Sequence, residues 1–448
     1  MMNNSQKGFI APLLIGIVLV MIVGEGIYFY VQNKNFQNTL AQQKTFLQNT
    51  VIATTTVERV ATSSAIIATS TSQKPISSKI MSQPAPIAPV SQPKIVSTTT
   101  LLKNQIPSVV SVIATSTANI AGYPMGVLVL KYFPTTTVNG QEMIDISVTG
   151  DWGDSYTSTR QKTIDITNNL IASLEKATTY LGYKNSSAEP SLDYSVVKTV
   201  EYKEAVPTIA GSYHGRLRYP DYNGILTSNT ICDYVDNQNV KEVWIFAYQG
   251  PTESDGSPYL NIDESKMSGP YGDISNSYRY NDMPVCNHTY RVYTFNYQRG
   301  TAEAFHSWGH QIEAEMGYMN QKLFNIFEGP EGFSSHPQVT NETGRCGSVH
   351  NPPNSRADYD YANTIPQASD CLDWTPDGLG ATTQISCALW GCTDVSDTNN
   401  SQLNYLIWLW QNLPGMNNTK TYQGNKLRNF WDVHADFDTA AKNPTLFQ

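Results

Sequence analysis

Phe9 to Val31, FIAPLLIGIVLVMIVGEGIYFYV, is a run of 23 residues with one charge, Glu25, and it decides where along the chain a globular fold can begin. A run of that length and apolarity can cross a bilayer. It is too long for a signal-peptide core, and no small-x-small cleavage site comes after it. Residues 1–31 are therefore read as an uncleaved signal anchor, a single-pass transmembrane helix with Tyr28 and Tyr30 at its outer interface. Lys7 and Lys34 flank it on opposite sides, so its own charges specify orientation weakly.

Residues 32–119 are rich in Ser, Thr, Pro, Ala and Gln, as in ATSTSQKPISSKIMSQPAPIAPVSQPK. Short apolar stretches without a sustained period bury too little surface to offset the entropy of ordering them. This segment is read as a disordered stalk that holds the remainder, residues 120–448, away from the membrane.

The six cysteines, Cys232, Cys286, Cys346, Cys371, Cys387 and Cys392, all fall in that remainder. An even number on a chain with an anchor predicts disulfides and an extracytoplasmic domain at the cell membrane, with the pairing open. A zinc cluster is the rival reading, but no C-x-x-C pair is present. Charge is uneven as well. The first 118 residues hold eight Lys or Arg and two acids, which leaves 21 basic against 36 acidic residues beyond them. A net charge of about −15 argues against nucleic acid as a partner, because a phosphate backbone needs a basic footprint.

GVLVLKYF (Gly126 to Phe133), YSVVKTVEYKEA, VKEVWIFAYQG (Val240 to Gly250) and TYRVYTFNYQRG (Thr289 to Gly300) read as strands. Arg160 to Tyr183 has apolar residues at helical spacing, and Asp221 to Asp236 offers a further helix. Strands separated by helical patterns predict an α/β domain with a mainly parallel central sheet flanked by helices. Ligands gather beyond the carboxyl ends of such strands, which directs attention to Arg299 and the helical pattern next to it. Glu328 to Asp397, rich in Gly, Pro, Asn and Asp, reads as a loop region held by disulfides, and NSQLNYLIWLWQNLPG as a closing amphipathic helix.

After Arg299 comes AEAFHSWGHQIEAE, Ala302 to Glu315. On a helix, Glu303, His306, His310 and Glu313 fall within about 80° of one another, while Phe305, Trp308, Ile312, Met316, Met319 and Leu323 form the other side. Imidazoles at i and i+4 converge on a zinc-sized ion, and a third ligand from elsewhere leaves a position open for water. Ser307 stands where an H-E-x-x-H helix carries its general base, so Glu303 or Glu313 is either the base or a further ligand, and Glu303, a turn before His306, also suits a carboxylate that orients that imidazole. The competing reading is the solvated face of a surface helix or a polar binding cleft. His350, in CGSVHNPPNSRADYDYAN, is the favoured third ligand, with Asp358 and Asp360 as binding residues beside it. These aspartates, with Asp370 and Asp373, also suit calcium, though not at EF-hand spacing, or simply loop amides. Glu264 in DESKMSGP is a candidate acid or base and Lys266 an anion contact, unless both are turn residues; His214, His288, His336 and His434 are expected at the surface.

Taken in order, VKEVWIF, ESKMSGP, AFHSWGHQIEAE, CGSVHNPPNSRADYDYAN and SDCLDW resemble an uncharacterised family of exported proteins. Its pattern is a V-W strand, E-S-x-M-x-G-P, H-S-F-G-H-x-x-E, C-G-x-V-H-x-P-P-N, D-Y-D-Y and S-x-C-D-D-W. The likeness covers roughly Gly126 to Gly415. It implies Glu264, His306, His310, Glu313, His350, Asp358 and Asp360 as site residues and supplies no reaction. Trp308 stands where that family often has Phe, and Leu372 where it often has Asp. The opening KGF, Lys7 to Phe9, resembles a type IV prepilin cleavage site, although Leu13 occupies the place of that family's glutamate.

The expectation is thus a membrane-anchored, zinc-dependent hydrolase acting on a peptide or glycan polymer of the cell envelope. A carbohydrate- or peptide-binding module without catalysis is the alternative, favoured by 26 tyrosines and eight tryptophans. A metal-free glycosidase using paired carboxylates is the third reading.

Overall fold

The computed structural model describes residues 122–448 apart from 151, 212–217, 251–259, 261, 263, 278 and 330–345. The expected anchor, prepilin-like start and stalk, and His214 and His336, lie outside the described residues. Among those described, no helix is long and apolar enough to cross a membrane.

The sheet is built from β1 (Tyr123–Tyr132), β2 (Leu192–Tyr202), β3 (Val240–Ala247), β4 (Ser265–Ser268) and β5 (Tyr290–Asn296) in the order β2-β1-β3-β5-β4. The first four in that order run parallel, and β4 lies antiparallel on β5 at the edge. Every residue of β5 is buried, as is every residue of β3 except Lys241. That is why VWIFA and YTF read as continuous apolar runs without alternation: strands covered on both faces have no polar side to present. ESKMSGP, whose composition suggests a turn, instead supplies the edge strand β4, which carries Ser265 to the rim of the site.

Helices α1 (Tyr156–Ala177), α2 (Tyr222–Ser228), α3 (Ile231–Asn237), α4 (Thr301–Glu328), α5 (Ser401–Gln411) and α6 (Trp431–Ala435) flank the sheet. Helix α4 leaves β5 through a four-residue turn. Its first amide, Thr301 N–H, is capped by Asp397 Oδ1 at 2.7 Å, a partner 96 residues away. The helix breaks its regular geometry at Asn320, whose side chain caps the resumed turn through Leu323 N–H at 3.0 Å. Phe305, Trp308, Ile312 and Met316 are fully buried, each contributing roughly 1.5–3 kcal/mol relative to exposure.

The cysteines pair in three disulfides, Cys232–Cys286, Cys346–Cys371 and Cys387–Cys392. The second and third hold the loop region between α4 and α5.

His434 corrects the surface expectation. It is fully buried, with Nδ1 3.0 Å from Glu315 Oε2 and Nε2 2.9 Å from Glu242 Oε1. Arg291 donates to both oxygens of Glu315, at 2.7 and 2.8 Å, and the Tyr194 hydroxyl donates to Glu242 at 3.0 Å while accepting from the Trp308 indole at 3.1 Å. Three strands and two helices are tied together by this dry polar cluster behind α4. Apolar periodicity gives no hint of it. His288 is exposed as expected.

Candidate metal centre

His306 and His310 lie one turn apart on α4, and the loop after Cys346 brings His350 down upon them. His310 Nε2 is 3.0 Å from His306 Nε2 and 3.1 Å from His350 Nε2. One ligand atom from each residue lies within 4.8 Å of the others, so the three can hold a metal ion. Four ligands at 2.0–2.1 Å from zinc stand about 3.3–3.4 Å apart in a tetrahedron. The two separations from His310 are therefore a few tenths of an ångström shorter than a bound zinc ion would set them.

The loop is held to the helix by its backbone. Glu313 Oε1 accepts from Val349 N–H at 2.8 Å, Tyr361 donates to Val349 O at 2.8 Å, and the Tyr405 hydroxyl lies 2.9 Å from Ser348 O and 3.1 Å from Asn351 O. Two glycines permit this. A Cβ on Gly309, between the two helix histidines, would meet Val349 Cγ2 at 2.8 Å, so the HSWGH turn needs a bare backbone where the loop lands. Gly347 has φ +86°, and a Cβ there would lie 2.2 Å from Asn351 O.

Each helix histidine has a partner on its far nitrogen. His310 Nδ1 is 2.7 Å from Glu313 Oε2, which places the ring proton on Nδ1 and the lone pair of Nε2 toward the cluster. Gln402 Nε2 lies 3.2 Å from His306 Nδ1; turning that amide over would present its oxygen instead, accept an Nδ1 proton and free Nε2 in the same way. Burial, then His310, His350 and Arg299, push the His306 imidazole down to about 2. Burial and His310 likewise lower His350 against the opposing pull of Glu313 and Asp358. These two rings are held neutral, the form that ligates metal.

Behind them stands a pair of buried carboxyls. Burial would raise Glu313, but His310 and Val349 N–H outweigh it and hold the group below its ordinary value. Burial and Glu313 push Glu328 far above its own. Glu328 is the protonated partner, and Glu313 the carboxylate that orients His310.

The histidines open onto a cleft of about 440 Å³ lined also by Ser265, Asn276, Arg299, Glu303, Ser307 and Tyr359. Glu303 is its acid, 40% exposed at the side chain and 3.3 Å from Arg299 Nη1. The Tyr359 hydroxyl is 3.2 Å from His350 Nε2, and burial with Asp358 and Glu303 raises its pKa. Ser265 Oγ is buried at the cleft wall and has no hydrogen-bond partner among the described residues. Sequence patterns do not single out Ser265, Asn276, Tyr359 or Gln402. Tyr359 offers the one usable signal, since it stands nine residues after His350 in an alternating D-Y-D-Y run.

Of the remaining candidates, Asp358 stands next to Tyr359 at the edge of the site, and the others do not line the cleft. Glu264 is buried against Arg279 at 2.7 Å, Tyr222 at 3.0 Å and Ser277 at 3.1 Å. Lys266 pairs with Asp282 at 3.0 Å. Asp360 accepts from Arg356 N–H at 2.9 Å and the Asn363 amide at 2.8 Å, pinning its own loop, while Asp358 is exposed.

Searches against protein-family models, curated proteins and solved structures match nothing to this chain. The site's chemistry therefore rests on its own residues.

Proposed function

We propose that this chain is a membrane-anchored, extracytoplasmic zinc-dependent hydrolase, with His306, His310 and His350 as ligands and Glu303 as general base. The observation that carries the reading is the convergence of three imidazole nitrogens on the wall of a cleft that also holds an accessible carboxylate. Zinc is the ion that suits three neutral imidazoles with a fourth position open, and it supplies a water acidic enough to react near neutral pH and a Lewis acid for the scissile group. Glu303 accepts the proton from the attacking water. Arg299 beside it fixes that carboxylate at the cleft wall. Glu313, occupied by His310 and Val349, orients a ligand.

A peptide or glycan of the cell envelope is the substrate class that fits a domain on a long polar stalk. Among the described residues lining the cleft, Glu303 is the one carboxylate, and a paired-carboxylate glycosidase would need a second. The binding-module alternative draws on a second cleft of about 430 Å³, where Tyr183, Trp390 and Trp408 stand with Asn185, Asn404 and Gln411.

The test is elemental analysis of the purified full chain beside a His306→Ala, His310→Ala variant, with digestion of peptide and glycan polymers by each. One equivalent of zinc in the parent, none in the folded variant, and turnover lost with the metal are expected. A parent that takes up no metal when zinc is supplied would overturn the reading.

A further inference from the structure

The run Asp358-Tyr359-Asp360-Tyr361 divides its labour. Asp360 and Tyr361 pin the turn to the rest of the loop, through Arg356 N–H, the Asn363 amide and Val349 O. Tyr359 is held beside them with φ +63°. Of the eight non-glycine residues with positive φ among those described, four are asparagine, which tolerates that region; Tyr359 is the aromatic one. Backbone held in a sparsely populated region persists where its surroundings impose it, and such residues cluster at functional sites. Here Tyr359 N–H donates to His350 O at 2.9 Å, and Tyr361 N–H to Tyr359 O at 2.9 Å.

This backbone does not serve to bury Tyr359, which is 54% exposed as a residue. It carries the ring over the histidines. The Tyr359 centroid is 4.6 Å from that of His350 and 5.7 Å from that of His306. Its hydroxyl oxygen is 3.2 Å from His350 Nε2, close to one edge of the tetrahedron zinc requires. The imidazole nitrogens offer three corners of such a tetrahedron, and the phenol oxygen stands beside one of them, that of His350.

We propose that Tyr359 is a fourth, displaceable ligand of the metal in the resting site. This rests on the three-histidine reading above. When the cation binds, the phenol O–H bond breaks, an oxygen–metal bond forms, and the proton passes to solvent. Because Tyr359 is exposed and reaches the site from a single turn, an occupied cleft can turn it aside and free that position for the reacting water, the phenolate recovering a proton from solvent as it leaves. The resting site is thereby closed to adventitious water and opens when a substrate occupies the cleft.

The probe is copper(II), whose bond to a phenolate gives a visible charge-transfer band that imidazole ligands do not. The full chain would be titrated with copper(II) beside Tyr359→Phe and Tyr359→Gly, the second removing the ring and relieving the positive φ. The expected result is one equivalent bound by all three proteins, with the band in the parent and its loss in both variants. One equivalent bound by the parent without the band, or a band that survives in the variants, overturns the role of Tyr359 and leaves the histidine site standing. A parent that binds neither copper nor zinc overturns both.

Discussion

Glu313 joins the two halves of the candidate metal centre: one carboxylate oxygen meets His310 Nδ1 at 2.7 Å and the other accepts from Val349 N–H at 2.8 Å, next to His350. It sets the direction of one ligand and the approach of another. Glu313→Gln keeps the shape and removes the charge. Outer partners of metal-bound histidines contribute about 10–100-fold in affinity, so zinc affinity should fall in that range while the stoichiometry stays at one. Competition against a chromophoric chelator measures it; unchanged affinity would reduce Glu313 to a packing group.

Glu303 differs because it reaches the cleft and touches no ligand nitrogen. Glu303→Gln should leave zinc affinity within about threefold of the parent and lower turnover by roughly 10²–10⁴ on any polymer the parent cleaves, the range of a general base. A variant that loses its zinc instead would make Glu303 a ligand.

Much of the site is legible in the sequence because it lies on one helix. Spacing alone groups Glu303, His306, His310 and Glu313, and the same period assigns Phe305, Trp308, Ile312 and Met316 to the core. Spacing cannot tell the cleft carboxylate, Glu303, from the buried one, Glu313, since that depends on Val349, which is distant in sequence. Nor can it see that the polar stripe is roofed by a loop and not by solvent. Glu264 is a different case. Its place in a motif suggests chemistry, but its partners Arg279, Tyr222 and Ser277 come from segments whose approach no local pattern announces. His434 is misplaced for the same reason: its partners Glu242 and Glu315 lie 192 and 119 residues away.

The cluster around His434 should govern stability more than catalysis. Glu315→Gln takes from Arg291, 1% exposed, its paired carboxylate and leaves Glu242 as the nearest remaining charge of the cluster. Breaking a buried pair by removing one partner costs about 3–5 kcal/mol. Denaturant unfolding monitored by tryptophan fluorescence should shift by that amount, and a shift below about 1 kcal/mol would mean that Arg291 finds another partner.

Acid should expose the same residue. Burial would raise the Glu315 carboxyl, but Arg291 and His434 outweigh it and depress it to about 2, from an ordinary 4.5. A depressed carboxylate stabilises the fold fully above its unfolded value and loses that contribution as pH falls through the folded one. The parent should therefore lose stability steeply between about pH 4.5 and pH 2. Glu315→Gln should show a shallower slope across that window, and parallel slopes would assign the acid response to other groups.

Gly309 sets two effects against each other. On helix propensity alone, Gly309→Ala gains about 1 kcal/mol. The new methyl, however, would stand 2.8 Å from Val349 Cγ2, and Val349 is fully buried and fixed at both N–H and carbonyl. Overpacking a site that cannot relax costs about 1–3 kcal/mol, so the clash should equal or exceed the gain. The relief available is an outward shift of the Val349–His350 backbone, which draws His350 Nε2 away from His310 Nε2. Gly309→Ala should therefore show a melting temperature no higher than the parent's and a clear loss of zinc affinity. A more stable variant with full zinc affinity would mean that the loop yields without moving His350, and that the bare backbone at position 309 is not what seats the third ligand.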